Sequence, residues 1–417
     1  MASTNSSVVL DLPPLPSYTL RPREPLLPFI SDNLLALSLP VIGYWIASLF
    51  FHFIDVYDFF PQYRLHTPAE LLKRNHATRF EVLRDVIIQQ VIETLAGIIL
   101  AYFDDEEMVG REEYDVALWA QRIRRAQRAI PWLLRLVGVD ALGLAKSMAN
   151  HPSWAGALAG GSYPQLLQKI VLDNGLEVTA PSFAEWELNV AKFIYWILIP
   201  AFQFAAAICI LDTWQYFWHR AMHLNRWLYV HFHSRHHRLY VPYAYGALYN
   251  HPVEGFLLDT AGSGVAFLAT GLTYRQAMFF YTLSAIKTVD DHCGYHFPWD
   301  PLQLITSNNA AYHDIHHQSW GIKTNFSQPF FTFWDRLLGT QYQGEIKHKY
   351  ERARIAAEKQ LERERAQAGA APSEDSSDFE PGPLDAGVGK SAATEAPSRR
   401  VTRSTSKRAN GVNGGGI

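Results

Sequence analysis

Charged residues are absent from long stretches of this chain. Residues 34–54 form a run of 21 without a formal charge, and residues 193–211 form another of 19. At about 1.5 Å per residue, a helix of either length approaches or matches the roughly 30 Å of a bilayer's hydrocarbon core. Residues 86–103 are apolar except for Gln89, Gln90 and Glu93, and the pattern predicts a further span with these side chains turned inward, an interfacial helix being the alternative. A hairpin is predicted from residues 255–272, a turn at Thr273, Tyr274 and Arg275, and residues 276–289. Asp259 and Lys287 lie 15 and 13 residues from Tyr274, at similar depth, which predicts an ion pair between the two arms.

Between the spans the pattern changes. Residues 117–145 set Arg122, Arg124, Arg125, Arg128 and Arg135 among Trp, Ile and Leu, the pattern of an amphipathic helix on a membrane surface with an interruption at Pro131. Residues 1–32 are rich in proline and serine and predict an extended or disordered lead. Residues 343–368 predict a charged helical extension and 369–417 a disordered tail. The middle divides into membrane spans with an amphipathic connection at 33–189 and a domain at 190–342. The fold class is therefore all-α, an integral membrane helical protein.

Histidine is concentrated in that second domain, where 12 of the chain's 17 fall between residues 219 and 317. They recur as H-x-x-x-H at His219 and His223 and again at His292 and His296. They recur as H-x-x-H-H at His233, His236 and His237 and again at His313, His316 and His317. On a helix, positions three and four apart share a face, so each set can aim its rings at one point. Ten imidazoles exceed what one tetrahedral zinc uses, and two adjacent metals are the economical reading. The first set follows a span directly. The hairpin returns His292 to the side that holds His237, so all four sets can meet in one di-metal cap.

Composition narrows the classes further. The formal net charge is −3, which gives no basic field for nucleic acid, and the two cysteines, Cys209 and Cys293, exclude a disulfide framework or thiolate metal ligation. No His-Glu dipeptide occurs, so the H-E-x-x-H zinc protease pattern is missing. No G-x-G-x-x-G turn or H-P-G-G haem-binding run is present, so the chain carries no sign of its own electron carrier.

The runs DTWQYFWHRAMH, VPYAYGALYNHPVEG, KTVDDHCG and NNAAYHDIHHQSWG, with NFSQPFFTFWDRLLGT, resemble the fatty-acid hydroxylase and sterol-desaturase superfamily of membrane di-iron enzymes, and within it the sphinganine C4-hydroxylase branch. The resemblance covers roughly residues 190–342. It implies metal ligands at His219, His223, His233, His236, His237, His292, His296, His313, His316 and His317. His231 and His251 are then left for pocket or supporting roles, and Asp212, Asp290, Asp291 and Asp314 for orienting ligand rings through their second N–H. It also implies two non-haem irons, O2 and a sphinganine or dihydroceramide substrate. Cytochrome b5 with its NAD(P)H reductase is the implied electron donor, docking at arginines such as Arg220, Arg226, Arg235 and Arg238. The resemblance implies, finally, a cytosol-facing cap on a multi-pass protein of the endoplasmic reticulum membrane. A desaturase, or a hydroxylase of a sterol or fatty acyl chain, is the alternative that shares the metal site.

Overall fold

The first long helix starts where Ser31 caps it, its hydroxyl accepting the N–H of Leu34. In the computed structural model, which describes residues 11–370 apart from 104, 149, 172–174 and 176, this helix is α1, Asp32–Tyr57. A Thr67–Glu70 capping box opens α2, Pro68–Arg74, and Thr78 caps α3, Arg79–Tyr102. The expected polar face of α3 is turned inward: Gln89 and Gln90 are buried, and the Trp45 indole donates to Gln90 at 2.8 Å. Ile87, Ile88, Val91, Leu95 and Ile99 are exposed on the outer surface, as lipid-facing residues would be.

The amphipathic region is broken slightly earlier than expected. Helix α4, Glu112–Gln127, ends before α5, Ile130–Leu136, because Pro131 fits the first turn of a new helix and not the interior of an old one. Short helices α6, Ala141–Ser147, and α7, Pro152–Leu158, follow. Two small antiparallel ribbons add to the helical fold: β1, Arg21–Pro22, pairs with β2, Met108–Val109, and β3, Leu167–Val171, pairs with β4, Glu177–Pro181. The second has the alternating exposure and β-branched Ile170, Val171, Val178 and Thr179 of a strand pair. The first ties down part of the lead, and Pro13 accepts a hydrogen bond from Gln121, so residues 11–31 run along the fold.

Helix α8, Glu185–Phe193, continues through a π-helical turn, Ile194–Leu198, into α9, Ile199–Leu224. Among the described residues, these 40 form the longest of three helices that are long and apolar enough to cross a membrane, the others being α1 and α3. A helix of that length reaches about 60 Å, twice the hydrocarbon thickness, so its last turns, with His219 and His223, project past the apolar layer. Then come α10, Arg226–Leu228, α11, Pro252–Gly255, and α12, Gly262–Thr270, with the chain reversing at Gly271 into α13, Tyr274–Asp291. The hairpin forms where the sequence places it, although its arms are not among the three spanning helices.

Helices α1 and α13 pack together, and with the segment 239–249 they enclose the main core of Tyr44, Phe51, Val82, Tyr249, Val289 and Phe297. The rest of the domain is α14, Pro301–Ile305, α15, Ala310–His317, and α16, Phe333–Leu337. Helix α17, Lys347–Ala370, occupies the expected charged extension. The tail from residue 371 lies outside the described residues.

Candidate metal centre

Nine of the ten sequence-selected histidines meet in the interior, in two adjoining groups. His219, His223, His233, His237 and His316 form one; His236, His292, His313 and His317 form the other, with ligand atoms in each group within 4.8 Å of one another. The two H-x-x-H-H motifs divide alike. Their first and last rings, four residues apart, go to one group, and the middle ring crosses to the other. The sets therefore interleave, so neither group can be assembled without the other.

His296 is the exception. Helix α13 ends at Asp291, and Gly294 takes a left-handed conformation at φ 78°, so four residues after His292 no longer means the same helix face. His296 is exposed, and its backbone N–H donates to the Tyr63 carbonyl at 2.9 Å.

What aims the rings is mostly backbone. The Nδ1–H of His219 donates to the Phe326 carbonyl at 2.8 Å, that of His292 to Thr288 at 2.8 Å, that of His316 to Thr324 at 2.7 Å and that of His317 to Leu239 at 2.8 Å. His233 turns its Nδ1 to the Glu254 carboxylate. With Nδ1 so engaged in His219, His233, His292, His316 and His317, their Nε2 atoms carry bare lone pairs and face neighbouring rings: His219 and His233 at 3.1 Å, His317 and the His313 Nε2 at 3.2 Å. The buried Nε2 of His316 has no partner at all. Burial pushes His233 down to about 3 and His292 to about 4, so both rings are neutral near pH 7. Neutral lone pairs converging in a dry interior need a cation among them, and the donor set fits two imidazole-binding metals.

The anticipated supporting residues do other work. Asp212 accepts the N–H groups of Phe330 and Phe331 at 3.0 and 2.8 Å, and Asp335 those of Phe326 and Ser327 at 3.1 and 2.7 Å. Together they fix the loop whose carbonyl holds His219, so Asp212 acts on the ring indirectly. Asp291 binds Lys287 and, at 2.9 Å, Asn308; Asp290 accepts from Gln303 at 2.9 Å. Asp314 turns instead to His66, at 2.9 Å, and to Tyr350. His231 is exposed against Trp227, and His251 accepts the Val253 N–H at 3.2 Å, capping the short helix that presents Glu254.

The expected Asp259–Lys287 pair does not form either. Lys287 is taken by Asp291 one turn along its own helix, while Asp259 accepts from Gln215 at 3.1 Å. Arg235 and Arg238 are engaged with Asp85 and Glu81 of α3, so they join the second histidine set to the span. Sequence reasoning missed Glu254 and His66. Glu254 lies within the quoted VPYAYGALYNHPVEG run, but His66, more than 150 residues from the histidine-rich stretch, carries no local signal.

Next to the two histidine groups is a gap of about 30 Å³, the space of about one water, lined by His233, His236, His292 and His313. Gln215, Leu248, Asp259, Thr288 and Pro329 line both this gap and a much larger cavity of about 450 Å³ among α1, α3, α9, α12 and α13. A mostly apolar cavity among lipid-facing helices, leading to a buried metal-binding group, can receive a long hydrocarbon chain.

Residues 204–340 match the family model described as Fatty acid hydroxylase. The chain is 41% identical over 347 residues to the sphingolipid C4-hydroxylase of Saccharomyces cerevisiae, covering 83% of this chain and 82% of that one. It is 44% identical over 319 residues to that of Schizosaccharomyces pombe, covering 76% and 91%. A very-long-chain aldehyde decarbonylase of Oryza sativa subsp. indica is 58% identical over 144 residues, but these are 34% of this chain and 56% of that protein. No solved structure matches.

Proposed function

Since the chain belongs to the fatty acid hydroxylase family, we propose that it is a membrane monooxygenase that hydroxylates C4 of sphinganine or dihydroceramide. The observation that carries this reading is the pair of interleaved histidine groups opening on a lipid-sized apolar cavity. The sphingolipid C4-hydroxylases match along most of their length and this chain's, whereas the decarbonylase shares a shorter segment; that favours the former's activity over a sterol or acyl-chain reaction.

Two irons would be held by His219, His223, His233, His237 and His316 on one side and His236, His292, His313 and His317 on the other. Bound there, iron with O2 supplies the oxidant that an unactivated CH2 requires and that redox-inert zinc cannot supply. The chain's own share is positioning. Carbonyls of Phe326, Thr288, Thr324 and Leu239 hold four ring tautomers, and the helices around the cavity exclude water and line up the substrate tail.

One oxygen atom enters the lipid and the other leaves as water, which consumes two electrons per turnover. An external donor supplies them, cytochrome b5 with its NAD(P)H reductase being the reading the sequence supports; Arg220 and Arg226 remain as docking candidates once Arg235 and Arg238 are paired internally. The endoplasmic reticulum membrane is the matching location, with the metal groups on the cytosolic side. The test is expression in cells that lack 4-hydroxylated sphingoid bases, followed by lipid analysis. Phytosphingosine-type products are expected, and their absence at normal protein level, with another oxidised lipid in their place, would replace this reading. Purified iron-loaded protein in lipid should require added donor protein for repeated turnover.

A further inference from the structure

The large cavity has an electrostatic imbalance. Glu93 from α3 and Asp259 from the turn before α12 both line it, and among its described lining residues there is no lysine, arginine or histidine. They lie within electrostatic reach of each other. Their protein partners are neutral amides: Gln89 donates to Glu93 at 2.8 Å and Gln215 to Asp259 at 3.1 Å. The one cation the sequence offered Asp259, Lys287, is held by Asp291. Gln89, only 1% exposed, also has a carbonyl oxygen with no donor, on the same amide that meets Glu93. Carboxylates among lipid-facing helices are costly unless a positive partner joins them, and such residues mark ligand sites. Here two carboxylates line the cavity, and none of its described lining residues offers them a cation.

Position indicates what the donor belongs to. Asp259 and Gln215 line both the cavity and the gap beside the metals, so a group bound at Asp259 lies close to the reacting centre. Gln215 also stands one helical turn before His219, which couples this contact to the first histidine set. A sphingoid base bears an ammonium at C2 and its reacting CH2 at C4, so cation and reacting carbon are two carbons apart on one chain. N-acylation turns that ammonium into a neutral amide.

We propose that Glu93 and Asp259 form a cation site for the C2 ammonium of an unacylated sphingoid base, setting its C4 beside the histidine groups and its tail in the apolar cavity. The proposal rests on the sphingolipid C4-hydroxylase reading and adds to it a choice of the free base over the ceramide form. Charge-assisted contact in a low-dielectric site makes the preference strong, because the amide lacks the charge and offers one N–H where the ammonium offers three.

The experiment measures binding separately from turnover. The full chain in lipid nanodiscs is titrated with radiolabelled sphinganine and with N-acetylsphinganine, and hydroxylation of each lipid is followed in parallel. Wild type is expected to favour sphinganine at least tenfold in Kd. The ratio should fall below threefold in Glu93→Gln/Asp259→Asn, while Glu93→Asp retains most of it. Loss of affinity for both lipids in equal proportion would assign the two acids a structural role and overturn the site. Equal binding of the two lipids by wild type would overturn it too, even if the double variant fails to fold. A binding preference without hydroxylation of either lipid would support the cation site and count against the catalytic reading, so the two failures are distinct.

Discussion

A histidine of either group offers an Nε2 lone pair to the other rings of that group, and in His219, His233, His292, His316 and His317 an Nδ1 contact also fixes the ring. Alanine at His219, His236, His292 or His316 should therefore remove metal from its group and abolish 4-hydroxylation, with membrane insertion retained, whereas His296→Ala should keep activity within about twofold because that ring is exposed and outside both groups. Iron content and product formation at matched protein level check both halves; full loss in His296→Ala would restore it to the ligand set. His66 gives a second residue-scale test, through stability. Burial opposes its charge, but the Asp314 and Glu70 carboxylates outweigh that and push the imidazolium up to about 9, against 6.5 for a free ring. A raised histidine pKa stabilises the fold fully below the unfolded value and loses its contribution as pH rises through the folded one. The difference corresponds to on the order of 3 kcal/mol. Thermal unfolding in detergent should show Tm falling from about pH 7 to above 9 in wild type, with most of that slope missing in His66→Gln; an unchanged slope would show that His66 does not carry it.

Among elements, the Lys287–Asp291 contact is the clamp between α13 and the chain leading into α15. Lys287 is wholly buried and donates to Asp291 and, at 3.2 Å, to the Asn308 carbonyl, while Asn308 donates back to Asp291 at 2.9 Å. Removing one charge leaves the other uncompensated, which costs roughly 3–5 kcal/mol for a buried pair. Lys287→Met or Asp291→Leu alone should lower Tm and abundance more than the two together. Additive losses in the double variant would reject the coupling. The sequence showed that both charges had to be satisfied inside the hairpin, yet it selected Asp259 as the partner from helical depth alone. Depth along a hairpin says nothing about which way a side chain points around each arm, and a helical turn offers Asp291 at a shorter reach. The same limit explains the rest of the mismatch. Histidine sets on continuous helix, such as His219 and His223 or His313 and His317, were legible because spacing fixes direction there; His296 was not, since Gly294 ends that rule. Carbonyl oxygens that hold the rings belong to every residue type and so leave no mark in a sequence. The β3–β4 ribbon was hidden for a similar reason, as two five-residue runs between breaks give too few periods to stand out from an amphipathic background.

At the scale of the molecule, the metal cap is held from behind by α17. Tyr350 donates its hydroxyl to Asp314, the carboxylate on the reverse side of the helix bearing His313, His316 and His317, and Lys349 sits over the Trp320 ring at 4.7 Å. Lys73 of α2 pairs with Glu364 further along, and Asp314 reaches the same α2 region through His66, which bonds Glu70 at 3.0 Å. The charged extension thus closes a loop that starts at the first polar link, passes through the fourth histidine set and returns. Among the described residues, every histidine of the two groups and every spanning helix lies before residue 318. Two truncations separate the consequences. A chain ending after Ala370 should retain hydroxylation and Tm, because the contacts of Tyr350 and Glu364 are kept. One ending at Ile346 should lose Tm and metal content, although it keeps all nine histidines, because Asp314 gives up its Tyr350 donor and the helix bearing His313, His316 and His317 loses that support. Replacing Tyr350 by Phe in the full chain should reproduce part of that loss without removing any helix. If the Ile346 truncation matched wild type in iron content and melting, α17 would be a solvated appendage and the fourth histidine set would be supported by the Thr324 and Leu239 carbonyls and by the His66–Asp314 contact.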